Sequence, residues 1–183
     1  MKKQICTLLL FVITTSAFTQ TIFPGLSEAQ KQKLLSTKIP MPLPTWIPEG
    51  YSVTNIITKT GKTIKIENKV LTITYGKKLP NGRMLEFKID AGFDGIGDLM
   101  YEGGERIKSK VGDIWLFYEP FEEDGDKKIK TYGLIMTEWF DIHNLAFDVV
   151  FSADSDNAKL NRTKPKISKA DAKKVLQSMQ VLK

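Results

Sequence analysis

His143 is the one histidine of the chain, two places after Asp141 and five after Glu138. On an extended strand Asp141 and His143 would share a face, the beginning of a metal or acid–base site. Zinc sites use about three or four protein ligands at close range. One histidine with two nearby carboxylates falls short of that set, so His143 is read as a surface residue in a turn with Asn144. The acidic clusters raise calcium instead. Asp90, Asp94 and Asp98 recur at four-residue spacing in a glycine-rich stretch. Glu122, Glu123, Asp124 and Asp126 form a second cluster, and Asp154, Asp156 and Asn157 a third. Calcium takes roughly six to eight oxygens, and none of these runs has the EF-hand ligand spacing. Each is read as a hydrated turn, and no metal or cofactor is expected.

Nucleophilic catalysis would have to use His143 as its base, and the chain has no Gly-x-Ser-x-Gly elbow. The glycines of the stretch from Gly92 to Asp98 are not followed by the Lys-Ser or Lys-Thr pair of a phosphate loop. Sugar hydrolysis needs two carboxyls about 5 to 9 Å apart across a cleft. Asp90, Asp94, Glu119 and Glu138 are candidates, and spacing prefers none of them. No catalytic residue is assigned, and a carboxylate-based hydrolase stands as a minor alternative.

The aromatic residues offer binding rather than catalysis. Trp46, Tyr51, Trp115, Phe117, Tyr118, Trp139 and Phe140 are many for a small fold. In the run from Gly112 to Pro120, Ile114, Leu116 and Tyr118 share one face of a strand while Trp115 and Phe117 share the other. Trp115, Phe117 and Trp139 either fill a core or line an apolar groove for a lipid or peptide, bounded by the last helix.

These residues must be positioned by a mostly extended chain. Period-two alternation marks strands over residues 51–58, 62–67, 70–76, 83–90, 105–110, 112–120, 130–140 and 145–153. Pro80-Asn81-Gly82 is the strongest turn signal. Residues 90–104 hold five glycines without periodicity and read as a loop or a short helix flanked by loops. Ser27 with Gln30 three places on forms a capping box for a helix that ends before Ile39-Pro40. Ser168, followed by Asp171, caps a second helix. Its apolar stripe runs through Ala172, Val175, Leu176, Met179 and Leu182. The expected fold is α+β, a curved and mostly antiparallel sheet of about seven or eight strands with both helices packed on it.

The first twenty residues have the layout of a secretory signal: Lys2 and Lys3, an apolar run from Ile5 to Ile13 interrupted by Cys6 and Thr7, then small polar residues. The run is shorter than the roughly 20 residues that cross a bilayer. Cys6 lies before most of it, which is not the place of a lipid-anchored cysteine. Residues 1–20 are therefore read as a signal peptide, 21–39 as an N-terminal helical segment and 40–183 as a single domain, exported, not lipid-anchored, and without a membrane span once processed. The processed chain has no cysteine and so no disulfide. Loss of Lys2 and Lys3 takes the formal charge from +6 to +4. The excess is lysine, with Arg83, Arg106 and Arg162 the only arginines. That balance fits a solvated surface and excludes a nucleic-acid reader.

Residues 42–51 read PLPTWIPEGY. Prolines fix the backbone and withhold amide donors, so this stretch is expected to steer the chain into the first strand rather than to pair in a sheet. From Pro44 to Tyr51 it resembles the start of an uncharacterised bacterial extracytoplasmic domain, Pro-x-aromatic-Leu/Ile-Pro-Glu-Gly-Tyr/Phe. That domain occurs in anti-sigma-like regulators and in small exported proteins. Trp139 and the helix from Ser168 would match its final strand and helix, so the resemblance covers about residues 40–183. It implies a half-barrel distantly similar to periplasmic lipoprotein carriers and sigma-regulator sensor domains. This chain carries no membrane-spanning helix and no sigma-binding domain, and it is short beside a complete carrier. The family pattern includes no catalytic residue. The reading is an exported, non-enzymatic binding domain for an envelope protein, peptide or lipid, the alternative being a structural or protein-interaction domain with no small ligand.

Overall fold

The computed structural model describes residues 21–58, 69–82, 84–93, 104–119, 134–152 and 167–183. Along the chain these form α1 (Glu28–Ser36), β1 (Pro42–Pro44), β2 (Ser52–Thr58), β3 (Lys69–Lys78), β4 (Met84–Phe93), β5 (Glu105–Ser109) and β6 (Gly112–Glu119). There follow β7 (Leu134–Thr137), β8 (Phe140–Ile142), β9 (Leu145–Ser152), α2 (Lys169–Gln177) and β10 (Met179–Val181). The expected strand at 62–67 and the acidic clusters at 122–126 and 154–157 lie outside the described residues.

Eight strands make one open antiparallel sheet in the order β2-β3-β4-β9-β7-β6-β5, with β8 also paired to β9. The fold is α+β. One face of the sheet carries Leu71, Ile73, Tyr75, Phe87, Ile89, Ile114, Leu116, Phe147, Val149 and Phe151, all almost fully buried. We call this the inner face. Phe87 lies at its aromatic centre, stacked on Tyr75 at 4.7 Å and tilted against Phe151 at 5.5 Å. Such pairs add about 0.5–1.5 kcal/mol each beyond the area they bury. The Tyr75 hydroxyl is enclosed without a hydrogen-bond partner among the described residues, and burial pushes its pKa far up.

Local chemistry explains two of the turns. Gly82 donates its amide to the Leu79 carbonyl at 2.9 Å, with Pro80 and Asn81 between them. His143 and Asn144 have φ of 51° and 65°, the two left-handed residues of a type I′ hairpin joining β8 to β9. Other expectations are corrected. Asp90 to Phe93 is not loop but the end of β4, held by pairing with residues 145–148 of β9. In β2 a bulge at Thr54 breaks the period-two alternation, so Ile56 joins Val53 in the core. The expected strand from 130 to 140 breaks at Glu138 and Trp139, between β7 and β8.

Helix α1 lies against the edge strand β2. Its capping box is complete: the Gln30 amide donates to Ser27 Oγ, and Gln30 Oε1 accepts from the Ser27 amide. The Gln30 and Lys33 side chains then donate to the Val53 and Ile56 carbonyls at 3.1 and 3.0 Å. The Val53 amide donates to the Gly25 carbonyl at 2.8 Å. Gly25, with φ of +75°, runs so close that a Cβ there would sit 2.8 Å from the Ser52 Cα.

The second helix is shorter than its apolar stripe. Ser168 caps it, its Oγ accepting from the Asp171 amide at 3.0 Å, and Ala172, Val175 and Leu176 are fully buried. A leucine buried in this way stabilises by about 1.5–3 kcal/mol. The helix stops at Gln177, and Met179–Val181 forms β10, antiparallel to β1. Pro42–Pro44 therefore does pair. The ladder runs through the Leu182 amide to the Met41 carbonyl and the Thr45 amide to the Ser178 carbonyl, at 2.9 and 3.1 Å. In that register Pro42 and Pro44 occupy the alternate positions, whose backbone groups turn away from β10, so no ladder donor is missing. Helix α2 packs against β1, β5 and β6, over the inner face.

Candidate functional site

The outer face of the sheet, away from α2, carries Trp115 and Phe117, two of the residues that sequence singled out. On β6 the pleat turns Ile114 and Leu116 into the core, and so turns Trp115 and Phe117 outward. Phe117 is nonetheless buried, opposite Met136 of β7. Its ring lies under the chain at Gly104, where an added Cβ would approach to 2.8 Å. Trp115 is 44% exposed and stands opposite Arg106 of β5. Trp139 is half-buried in the break after β7. That break adjoins Trp115, because the Glu138 amide donates to the Trp115 carbonyl at 3.0 Å. Thr137 Oγ1 accepts the Val149 amide at 2.8 Å, which satisfies β9 where the regular pairing lapses. Trp115 and Phe117 thus share the outer face of β6, with α2 on the opposite face, and Trp139 follows the residue whose amide reaches the Trp115 carbonyl.

Beside the aromatics runs a row that is polar except at its β2 end. Ile57, Thr72, Asp90 and Asp148 stand opposite one another on β2, β3, β4 and β9. Asp90 and Asp148 are 2% and 3% exposed, and Thr72 Oγ1 donates to Asp90 Oδ1 at 2.5 Å. Two carboxylates are brought together, but both are closed to a substrate. Asp148 was not among the sequence candidates. Its signal was there: in FDVVFS it holds the outward place between Phe147 and Val149. What sequence lacks is the register that sets it opposite Asp90.

The remaining candidates are dispersed. His143 and Asp141 are exposed near the β8–β9 turn, and Glu138 is half-buried in the strand break. Asp94 and Asp98 lie outside the described residues, and Glu119 ends β6. Among the described residues no three His, Cys, Asp or Glu side chains are grouped to hold a metal. No helix among them is long and apolar enough to cross a membrane.

Charge concentrates at the β5 end. Arg106 is ion-paired with Asp113 of β6. Lys173 and Lys169 of α2 reach Glu105 at 2.5 and 3.4 Å. The hydrogen bond from Lys173, helped by Lys169, holds the Glu105 carboxyl below the usual range. Arg106 does the same to Asp113, and Asp113 raises Arg106 in turn. Lys169 also lies 5.2 Å over the Tyr118 ring, and Lys174 lies 5.2 Å over Trp46.

Compared with protein-family models, with curated proteins and with solved structures, the chain matches none.

Proposed function

We propose that this chain is an exported, non-enzymatic binding domain for an envelope protein, peptide or lipid, and that the outer face around Trp115 is its contact surface. The observation that carries this reading is the placement of Trp115. An indole on a regular strand, 44% exposed and flanked by buried Phe117, presents a large rigid apolar surface at little entropic cost. The strand break at Glu138 and Trp139 adjoins it, the Glu138 amide donating to the Trp115 carbonyl. The carboxylate pair of Asp90 and Asp148 lends a hydrolytic reading no such support, since both are buried. Export rests on the signal-like first twenty residues and on the resemblance of Pro44 to Tyr51 to the start of an extracytoplasmic domain.

Hydroxyl-radical footprinting tests the contact. Addition of envelope extract lowers the oxidation of Trp115 severalfold and leaves Trp46, which is 37% exposed, unchanged. Equal oxidation of Trp115 with and without extract contradicts the proposal.

A further inference from the structure

The two outer strands of the main sheet are β2 and β5, and they are finished differently. At β2 three outward groups are occupied: the Val53 amide by the Gly25 carbonyl, and the Val53 and Ile56 carbonyls by Gln30 and Lys33. In the small ribbon, β1 carries Pro42 and Pro44 at its outward positions and so offers no donor there. At β5 the outward groups follow from Trp115. Its carbonyl is taken by Glu138, so its backbone groups face β7. Its opposite number Arg106 is then in a non-hydrogen-bonded pair, with N–H and C=O turned away from the sheet. Lys108, two residues on, is oriented alike. Both residues are exposed, and among the described residues nothing donates to or accepts from their backbone groups.

We infer that β5 is a strand-addition site for an extended acidic polypeptide segment. This rests on the binding-domain reading and gives that domain a polypeptide partner. The charge selects the occupant. Arg106, Lys108, Lys110, Lys169 and Lys173 surround the edge against Glu105 and Asp113. Lys108 stands opposite Asp113, which Arg106 already pairs, and Lys110 has no ion-pair partner among the described residues, so the basic charges outnumber the acidic ones at this edge. Arg106 and Lys108 project on the Trp115 face and Ile107 on the core face, so an added strand meets them with its alternate side chains. Carboxylates at every second residue complement the edge. A second copy does not: antiparallel self-pairing about Ile107 sets Arg106 of each copy against Lys108 of the other, and directly opposed like charges repel.

The test uses the purified protein and a short peptide in which Glu alternates with Val. The peptide binds and slows hydrogen exchange at the Arg106 and Lys108 amides. A Lys-Val peptide does not bind. Lys108→Pro removes one outward donor at a position where β1 tolerates proline, and lowers affinity about tenfold. Should that variant fail to fold, the Glu-Val peptide itself is altered instead: with its Glu amides N-methylated it loses binding, and with its Val amides N-methylated it keeps it. No binding of the Glu-Val peptide overturns the inference. So does binding that protects other strands, or equal affinity for the Lys-Val peptide. If the peptide fails while the Trp115 footprint persists, the binding-domain reading stands without this edge; if both fail, both are contradicted.

Discussion

Thr72 donates its hydroxyl to Asp90, and Asp90 stands directly opposite Asp148 on the next strand, with both carboxylates buried. A buried carboxylate is stable only while its hydrogen bonds are made. Thr72→Val keeps the shape and strand preference but removes the donor. We expect a loss of about 1.5–3 kcal/mol, the range for hydrogen bonds to charged groups, read by chemical denaturation. No loss would mean that Asp90 is satisfied without Thr72.

Ser178 joins the two ends of the domain. Its Oγ accepts the Trp46 amide at 3.1 Å and lies 2.8 Å from the Val175 carbonyl, while its own carbonyl accepts from Thr45. Ser178→Ala is expected to cost about 1 kcal/mol and to speed amide exchange at Trp46, leaving β2 to β9 unchanged. Uniform acceleration across the main sheet would contradict this local role.

The lone histidine serves a turn. His143 and Asn144 both adopt left-handed backbone, for which Asn-Gly is the best pair. The double substitution His143→Asn with Asn144→Gly is expected to raise stability by roughly 0.5–1 kcal/mol. Thermal unfolding checks this, and destabilisation would point to a role for the imidazole beyond the turn.

The tie between α2 and β5 is acid-sensitive. Lys173, with Lys169, holds the Glu105 carboxyl below its usual pKa in the folded chain. Its contribution is therefore complete above the ordinary glutamate value of about 4.3. It fades as pH falls below that value and is gone below the lowered one. The effect is small because the ion pairs are exposed. Glu105→Gln should flatten that part of the acid-unfolding curve. An unchanged curve would show that the lysines do not act through Glu105.

Sequence reading captured what is local. The capping box at Ser27 and Gln30, the cap at Ser168, the Pro80-Asn81-Gly82 turn and the two-faced character of β6 all depend on residues close in the chain. It failed where distant strands decide. Met179 and Leu182 keep helical spacing, so the strand at β10 was hidden until its pairing with Pro42–Pro44 was seen. The same holds for Asp148, whose outward place was visible but whose neighbour Asp90 was not. The bulge at Thr54 likewise follows from pairing with β3 rather than from composition.

The most direct measurement is site-specific cross-linking in the native host. A photoreactive side chain replaces Trp115 in one variant and Ile57, 46% exposed on the same face, in another. A binding surface around Trp115 predicts a discrete adduct with an envelope component from position 115 and none from position 57. Absence of an adduct from position 115, or equal adducts from both, would contradict it.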